Sequence, residues 1–282
     1  MHTDGPVSPS HRLLLIAATV IVGCVGCSER RRPPQTDVAA SSPTGAKPPV
    51  LRDGFEGGSL APFWLAGDYG SGRYAPGAVV LSEDYARSGR RSAQITVRQG
   101  DVAQLGDSGQ PNERAELDSG KRPVVGQDVW CGYSFLLPPG FPIVGTRLVI
   151  AQWKQSGLEG SPIVAQRFRA GRHHVTIRDL NTRGGWREYH ELPPIVPGRW
   201  HDMVYHVRFS ADSNGVIEVW MDGERVVRFA GDTASLRGKP LFYHKLGLYR
   251  DRMAEPMTIY IDNYAIGESY EAVDPARFTE RK

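Results

Sequence analysis

Turn-forming residues interrupt the chain about every ten residues from Leu51 onward, and the segments between them alternate apolar and polar side chains. Such alternation places every second side chain on the same face of a β-strand. In "WHDMVYHVRFS", for example, Met203, Tyr205 and Val207 alternate with His206 and Arg208. No segment keeps a helical period for more than about two turns. The chain is therefore expected to consist mainly of short β-strands.

Hairpin signals support this expectation in the C-terminal half. Asp222-Gly223, between "VIEVWM" and "ERVVRF", is a strong two-residue hairpin signal. Glycines 184–185 indicate a second hairpin, and residues 258–266 a last alternating strand. Many strands without helices to cover them must bury one sheet against another. The prediction is an all-β, concanavalin A-like jelly-roll sandwich, forming a single domain over residues 50–282.

The N-terminus has the form of an export signal. In "HRLLLIAATVIVGC", Arg12 precedes an apolar run over residues 13–22 that is too short to span a bilayer comfortably. The run ends at Cys24 in a pattern that resembles a bacterial lipobox, with Cys27 as the alternative lipidation site. Residues 1–27 are thus predicted to be a lipoprotein-type signal, and residues 28–49, rich in Pro, Ser, Ala and charge, a flexible linker. We expect a protein that is lipid-anchored at the bacterial cell envelope, in the periplasm or on the outer surface, or secreted.

Charge, cysteine content and the absence of several motifs exclude some classes of function. The formal net charge is +3, of which +2 lies in the linker, so any attraction of the domain for an acidic ligand must come from local placement. Cys131 is the one cysteine of the domain and lies in an apolar run, which predicts a buried, inert thiol and excludes a disulfide framework. The sequence contains no phosphate-binding glycine loop, His-Glu zinc motif or Ser-centred elbow, so nucleotide, zinc and acyl-transfer chemistry have no support.

Three short segments combine an apolar face with an unusually polar one. They are "NERAEL", "IAQWKQ" and "YHKLGLYR". Their polar faces carry Asn112, Arg114 and Glu116; Gln152 and Lys154; and Tyr243, Lys245 and Tyr249. Arg114 and Glu116 are two residues apart on one face, so we expect them to pair and to fix the direction of the guanidinium.

The motifs "RAEL", "QWK" and "YHKLGLY", in this order, resemble the three signature segments of jelly-roll alginate lyases. Those segments read arginine–x–glutamate–leucine, glutamine–isoleucine–histidine and tyrosine–x–lysine–x–glycine–x–tyrosine. The text between them, especially "WHDMVYHVRFSADSNGVIEVWMDGERV", is similar to heparin-lyase-I-like and glucuronan-lyase-like enzymes, and the resemblance spans most of the chain from about residue 51. It implies a polysaccharide lyase that cleaves a uronic-acid-containing glycan by β-elimination.

The resemblance implies an acidic polysaccharide as the substrate. The protein is further expected to be a monomer that binds no nucleic acid and that contacts the membrane only through the lipid anchor. No cofactor and no metal ligand are implied, and a structural calcium ion is left open.

The same resemblance implies roles for individual residues. Arg114 and Gln152 would neutralise the substrate carboxylate, and Tyr249 would transfer the proton as base, acid or both. Lys245 would be the electrostatic partner of Tyr249, and Gly247 would leave room for the sugar to approach the backbone. The other polar residues of the segments are expected to contact the substrate: Asn112, Glu116, Tyr243 and Arg250.

Lys154 departs from the pattern, because alginate lyases carry a histidine at this position. Lysine can neutralise a carboxylate but is a poor base unless it is desolvated. Either Tyr249 acts alone, or a histidine from elsewhere takes part, with His206 and the pair His173 and His174 as candidates.

Two other functions stay open at this point. A non-catalytic carbohydrate-binding module on the same sandwich would need aromatic platforms but no proton-transfer residue. A jelly-roll glycoside hydrolase would need two carboxylates at a defined separation, and Glu116 and Asp118 share a strand face.

Overall fold

The computed structural model describes residues 50–65, 74–101, 112–158, 160, 162–178, 180, 187–235 and 240–278, without the side chains of residues 187 and 188. The predicted signal, residues 1–27, and linker, residues 28–49, lie outside the described residues and stay predictions. The described part of the chain is almost entirely β-structure in two antiparallel sheets, which confirms the all-β jelly-roll prediction.

Fourteen strands make up the described sheets. In chain order they are β1 (Leu51–Asp53), β2 (Val79–Ser82), β3 (Ser92–Val97), β4 (Asn112–Asp118), β5 (Asp128–Leu136), β6 (Leu148–Gln155), β7 (Val164–Arg169), β8 (Arg172–Arg178), β9 (Arg187–Glu191), β10 (Trp200–Arg208), β11 (Gly215–Met221), β12 (Glu224–Gly231), β13 (Phe242–Asp251) and β14 (Met257–Gly267). A short helix, α1 (Tyr270–Val273), and a 3₁₀ turn, Pro275–Arg277, follow.

The strands divide between a larger and a smaller sheet. The larger one has the spatial order β12-β11-β10-β5-β14-β3-β2, with β1 also paired to β14. The smaller, six-stranded sheet has the order β4-β13-β6-β7-β8-β9. The three motif-bearing strands β4, β13 and β6 are therefore neighbours, although long stretches of sequence separate them.

The core lies between the two sheets and follows from the alternation in the sequence. Met203 and Val207 on β10 are fully buried, as are Leu117 on β4 and Leu246 and Leu248 on β13. These side chains belong to one continuous apolar cluster that joins both sheets. Each motif strand consequently turns its other face, which carries the polar motif residues, away from the core.

The predicted local features are confirmed where the structure describes them. Asp222 and Gly223 have φ angles of 51° and 86° and join β11 to β12, as a two-residue hairpin requires. Strands β8 and β9 pair as predicted, while the turn at 184–185 lies outside the described residues. Cys131 is fully buried, and burial raises the pKa of its thiol far above the usual range.

Helix α1 covers part of the outer face of the larger sheet. Ser269 caps the helix by accepting a hydrogen bond from the backbone N–H of Ala272. A Cβ at Gly132 of β5 would lie only 1.8 Å from the carbonyl oxygen of Val273, so this contact needs glycine. The short helices of the described ranges lack the length and apolar character to span a bilayer.

Two histidines are buried in the core without charge. His244 on β13 is fully buried, with its Nδ1 3.6 Å from the sulfur of Cys131 and its ring 4.8 Å from that of Trp153. Burial lowers the pKa of His244 to about 3. His173 on β8 points into the same core, and burial lowers its pKa to about 4, against the effect of its hydrogen bond to the carbonyl of Pro193.

These histidines are expected to make the protein sensitive to acid. Because the unfolded chain binds the proton near pH 6.5 and the folded state resists it, their stabilising contribution is present above about pH 6.5 and is lost as the pH falls. The loss approaches about 1.4 kcal/mol per pH unit for each histidine. Urea unfolding of wild type and His244→Phe between about pH 6.5 and 4.5 should show a shallower decline for the variant. Equal slopes would contradict the assigned cause.

Candidate active site

The polar faces of the three motif strands meet on the outer face of the six-stranded sheet. In β13, Tyr249 lies directly opposite Arg114 of β4, and Lys245 lies opposite both Asp118 of β4 and Gln152 of β6. Tyr243 is paired in the same way with Lys154. The sheet topology thus brings together the residues that the sequence predicted to act together.

The ring of Tyr249 is held between two guanidinium groups. The central guanidinium carbon of Arg114 lies 4.2 Å from the ring centroid, and that of Arg147 lies 4.7 Å from it. Partial burial works against the charge of Arg147, but its hydrogen bonds to Asp251 and Tyr249 outweigh this, and its pKa is raised. Both guanidinium groups thus lie within cation–π distance of the ring and hold it in place on the sheet face.

Arg147 is a site residue that sequence reasoning missed. It precedes β6, outside the alternating part of the motif, so no periodic signal singles it out. Its Nη2 donates hydrogen bonds to Oδ1 of Asp251 (2.6 Å) and to Oδ1 of Asn112 (2.9 Å). Asn112, which was predicted to contact the substrate, thus helps to hold Arg147 against Tyr249.

Glu116 is the buried acceptor at the centre of the site, with 1% of its surface exposed. The pair of Glu116 with Arg114 that the sequence predicted stays a prediction, and the structure gives Glu116 two partners on the neighbouring strands. Its Oε1 accepts a hydrogen bond from Nε2 of Gln152, and its Oε2 lies 3.8 Å from Nζ of Lys245. The carboxylate fixes both side chains and balances the charge of the buried ammonium.

Lys245 is the desolvated lysine of the site. It is 3% exposed, and burial lowers its pKa against the opposing effect of Glu116 and Asp118, with Arg114 and Lys154 lowering it further. Lys154 follows Gln152, the partner of Lys245, two residues along β6 and on the same face. Lys154 itself is only half-buried.

Gly247 is required by the pairing of β13 with β4. That it also leaves room for the sugar, as the motif resemblance implied, stays a prediction. Its φ is +142°, and a Cβ would lie 2.3 Å from the carbonyl oxygen of Ala115 and 2.9 Å from Cα of Glu116. The residue also lies where the pairing of β13 with β6 shifts register. A side chain at this position would push β4 away from β13 and separate Arg114 from Tyr249.

The sequence comparison decides the family. A model of the polysaccharide lyase family matches residues 55–265, which is most of the chain. This chain belongs to the polysaccharide lyase family. It is accordingly a polysaccharide lyase, as the motif resemblance predicted. No curated protein sequence matches it.

Several solved structures share the fold of this lyase. The endo-β-1,4-glucuronan lyase from the fungus Trichoderma reesei superposes with a TM-score of 0.60 at 18% identity, over 80% of this chain and 98% of that one. The alginate lyase A1-II′, a member of polysaccharide lyase family 7, gives 0.52 at 16%, over 70% and 86%. The cellulose-induced protein Cip1 gives 0.51 at 14%, over 78% and 97%. At identities this low, the similarity shows that the fold is shared.

His206, one predicted alternative to Tyr249 as the base, is not part of this site. It lies on β10 of the larger sheet, whose core side carries the neighbouring residues Tyr205 and Val207. Its ring stacks on Trp130 at 4.3 Å, and its nitrogens contact Asp128 (2.7 Å) and Glu218 (3.0 Å). The core separates it from Tyr249, so the structure does not bring His206 together with the motif residues.

The pair His173 and His174 divides between the two faces of β8. His173 points into the core, where its Nε2 lies 2.9 Å from Nε2 of Gln166. His174 lies on the outer face of the lyase's six-stranded sheet, three strands away from Tyr249. Neither histidine contacts the phenol.

Arg250 was expected to contact the substrate, and the structure shows a buried ion pair instead. Arg250 and Glu113 are both fully buried, with Nη2 2.8 Å and Nε 3.0 Å from Oε2 of Glu113. Nη1 of Arg250 also donates to the carbonyl of Glu255. The alternation of β13 places Arg250 on the same face as Leu246 and Leu248, away from Tyr249.

Other surface features of the lyase lie apart from this site. Open pockets of about 630 Å³ and about 480 Å³ are lined by residues that include Arg91 and Trp200, and neither contains a motif residue. Within the described residues, no group of three or more His, Cys, Asp or Glu side chains is arranged to bind a metal ion. The candidate site is the surface around Tyr249, because cationic side chains, a buried carboxylate and a phenol converge there.

Proposed function

We propose that this lyase cleaves a uronic-acid-containing glycan by β-elimination, with Tyr249 transferring the proton. The observation that carries the proposal is the phenol of Tyr249, held between Arg114 and Arg147 beside the cluster of Gln152, Glu116 and Lys245. A proton-transfer group surrounded by cations suits a reaction in which negative charge develops on a carboxylate-bearing carbon.

The reaction makes specific demands on the site. A base removes the proton from the carbon next to the uronate carboxylate, and the released electron pair forms a carbon–carbon double bond. The bond to the neighbouring glycosidic oxygen breaks, and that oxygen takes up a proton. The proton is weakly acidic while the carboxylate is charged, so stabilisation of the developing enolate is the largest demand.

Arg114 and Arg147 are suited to this demand. Each presents a guanidinium on the face of Tyr249, and a guanidinium can bind a carboxylate through two parallel hydrogen bonds. Gln152 supplies an amide at the neighbouring position, directed by its hydrogen bond to Glu116. The two arginines would bring the carboxylate and the acidic carbon to the phenolic oxygen of Tyr249.

Tyr249 would serve as base and then as acid. As a phenolate it would remove the proton from the acidic carbon, and the phenol formed in this way can then protonate the leaving oxygen. Burial lowers the pKa of the Lys245 ammonium. Its contact with Glu116 makes it an electrostatic partner of the site.

The charge of the whole face supports an acidic substrate. On the described outer face of the six-stranded sheet, cationic side chains outnumber acidic ones. The cations are Arg114, Arg147, Lys154, Arg167, Arg169, Arg172, Arg178 and Lys245, and the acids are Glu116, Asp118, Glu191 and Asp251. A local excess of positive charge attracts a polyanion although the chain as a whole is nearly neutral.

Glycoside hydrolysis fits this arrangement less well. It needs one carboxylate free to attack or to activate water and another to donate a proton. Glu116 is buried and occupied by Gln152 and Lys245, which suits a residue that positions others.

Ultraviolet absorbance tests the proposal. The purified domain, from about residue 50, is incubated with alginate, glucuronan, heparin-type and chondroitin-type glycans. We expect absorbance to rise with one of them, because elimination leaves a double bond conjugated to the carboxylate. New reducing ends without absorbance would indicate hydrolysis, and binding without either would indicate a carbohydrate-binding module. Both outcomes contradict the proposed reaction.

A further inference from the structure

A row of directly paired residues crosses the six-stranded sheet from Tyr249 to its far edge. The successive partners are Val149 on β6, Arg167 on β7, His174 on β8 and Glu191 on β9. Neighbouring strands lie about 4.8 Å apart, so His174 is roughly 14 Å from Tyr249 and β9 roughly 19 Å. This span can accommodate several units of a polymer.

A second row runs beside the first. It leads from Lys245 through Gln152 and Ala165 to Thr176 and Tyr189. The small side chains of the two rows, Val149 and Ala165, occupy the middle of the sheet. They separate the polar cluster around Tyr249 from a second cluster on β7, β8 and β9.

Tyr189 presents an exposed ring in this second cluster. It is 45% exposed, and its ring stacks on that of His174 at a centroid distance of 4.3 Å and an angle of 24°. The guanidinium carbon of Arg172 lies 5.7 Å from the same ring, and Arg172 is anchored by Glu191. Tyr189 is thus contacted by His174 and Arg172 while nearly half of its surface stays exposed, and an exposed aromatic side chain suits stacking on a sugar ring.

Arg167 provides a fixed cation next to this platform. It is 8% exposed, and its Nε donates a hydrogen bond to Oγ1 of Thr176 (2.9 Å). Partial burial lowers the pKa of His174, with Arg167 and Arg172 acting in the same direction. Arg167 lies directly opposite His174 on the same face, so its guanidinium is the charge placed to meet an anionic substituent.

We propose that Arg167, His174 and Tyr189 form a distal subsite that binds one uronate unit of the polymer, three to four strands away from Tyr249. The sugar ring stacks on Tyr189 and its carboxylate binds Arg167. This subsite rests on the proposed function of the face, and it makes the enzyme favour chains long enough to cross the sheet.

Chain-length kinetics test this subsite. On the polyuronate that the absorbance panel identifies, Tyr189→Ala is expected to lower kcat/KM for decasaccharides about tenfold, the effect of one lost stacking contact. Trisaccharides, which do not reach β8 and β9 from Tyr249, should be cleaved at the wild-type rate. Tyr189→Phe keeps the ring and should behave like wild type on both substrates.

Two further measurements separate this proposal from the proposed function. Arg167→Gln should weaken cleavage of decasaccharides, whereas Arg228→Gln, which removes an exposed charge on β12 of the other sheet, should not. Retardation in gels that contain alginate or glucuronan reports binding without turnover, and Tyr189→Ala should reduce it. Equal losses on short and long chains, or unchanged retardation, would overturn the subsite. A wild-type protein that binds these glycans but cleaves none would overturn the proposed reaction instead.

Discussion

Tyr249→Phe is expected to lower kcat roughly 10²–10⁴-fold, the usual contribution of a proton-transfer group. The variant keeps the ring between Arg114 and Arg147 and loses only the hydroxyl that would take and return the proton. The fold and the binding of substrate should therefore survive. The rate of ultraviolet absorbance increase measures the first effect, and calorimetric titration with the polyuronate measures the second.

Tyr260→Phe is the matched control. Tyr260 lies on β14 of the larger sheet, and its hydroxyl is 3.4 Å from Oδ2 of Asp84, so its removal makes the same chemical change away from the site. This control should keep the wild-type rate. If Tyr249→Phe kept it too, the base would have to be another group, and the buried Lys245 would be the first to test.

Arg250→Met is expected to destabilise the domain by about 3–5 kcal/mol, because it leaves the carboxylate of Glu113 buried without its partner. Urea unfolding should show a lower midpoint with little change in slope. The folded fraction should keep the wild-type KM, since Arg250 lies on the core side of β13.

The double variant Arg250→Met/Glu113→Leu tests whether the loss of stability comes from the unpaired carboxylate of Glu113 or from the loss of the Arg250 side chain itself. Removing both charges together avoids the uncompensated carboxylate, so much of the lost stability should return. A single variant of unchanged stability and raised KM would instead support the original prediction that Arg250 contacts the substrate.

The sequence predicted the strands and their faces well, because alternation has a direct physical meaning. The same rule held the information needed to place Arg250, which shares a strand face with Leu246 and Leu248. Its charge suggested exposure, and a buried partner at Glu113 overrode that preference. The period of the strand was the better guide.

The alternation of side chains cannot show which strands become neighbours in a sheet. This explains why the sequence misplaced His206 and missed Arg147. His206 does lie on the polar side of its strand, but that strand belongs to the larger sheet, so the face is a different one. The adjacency of β4, β13 and β6 came from the motif resemblance and not from any local pattern. Arg147 precedes its strand, where no periodicity applies, and only its contacts with Tyr249 and Asp251 reveal it.

Within "YHKLGLYR", the glycine is required by the strand pairing, whereas the tyrosine is required only by the proposed chemistry. Because an alanine at position 247 would collide with the backbone of β4, any chain that keeps this strand pairing needs glycine there, whether or not it retains a catalytic tyrosine. The glycine is therefore a requirement of the scaffold, while the tyrosine and arginine are needed only for the proposed reaction. A descendant that had lost the enzyme's chemistry should still carry the first and be free to vary the others.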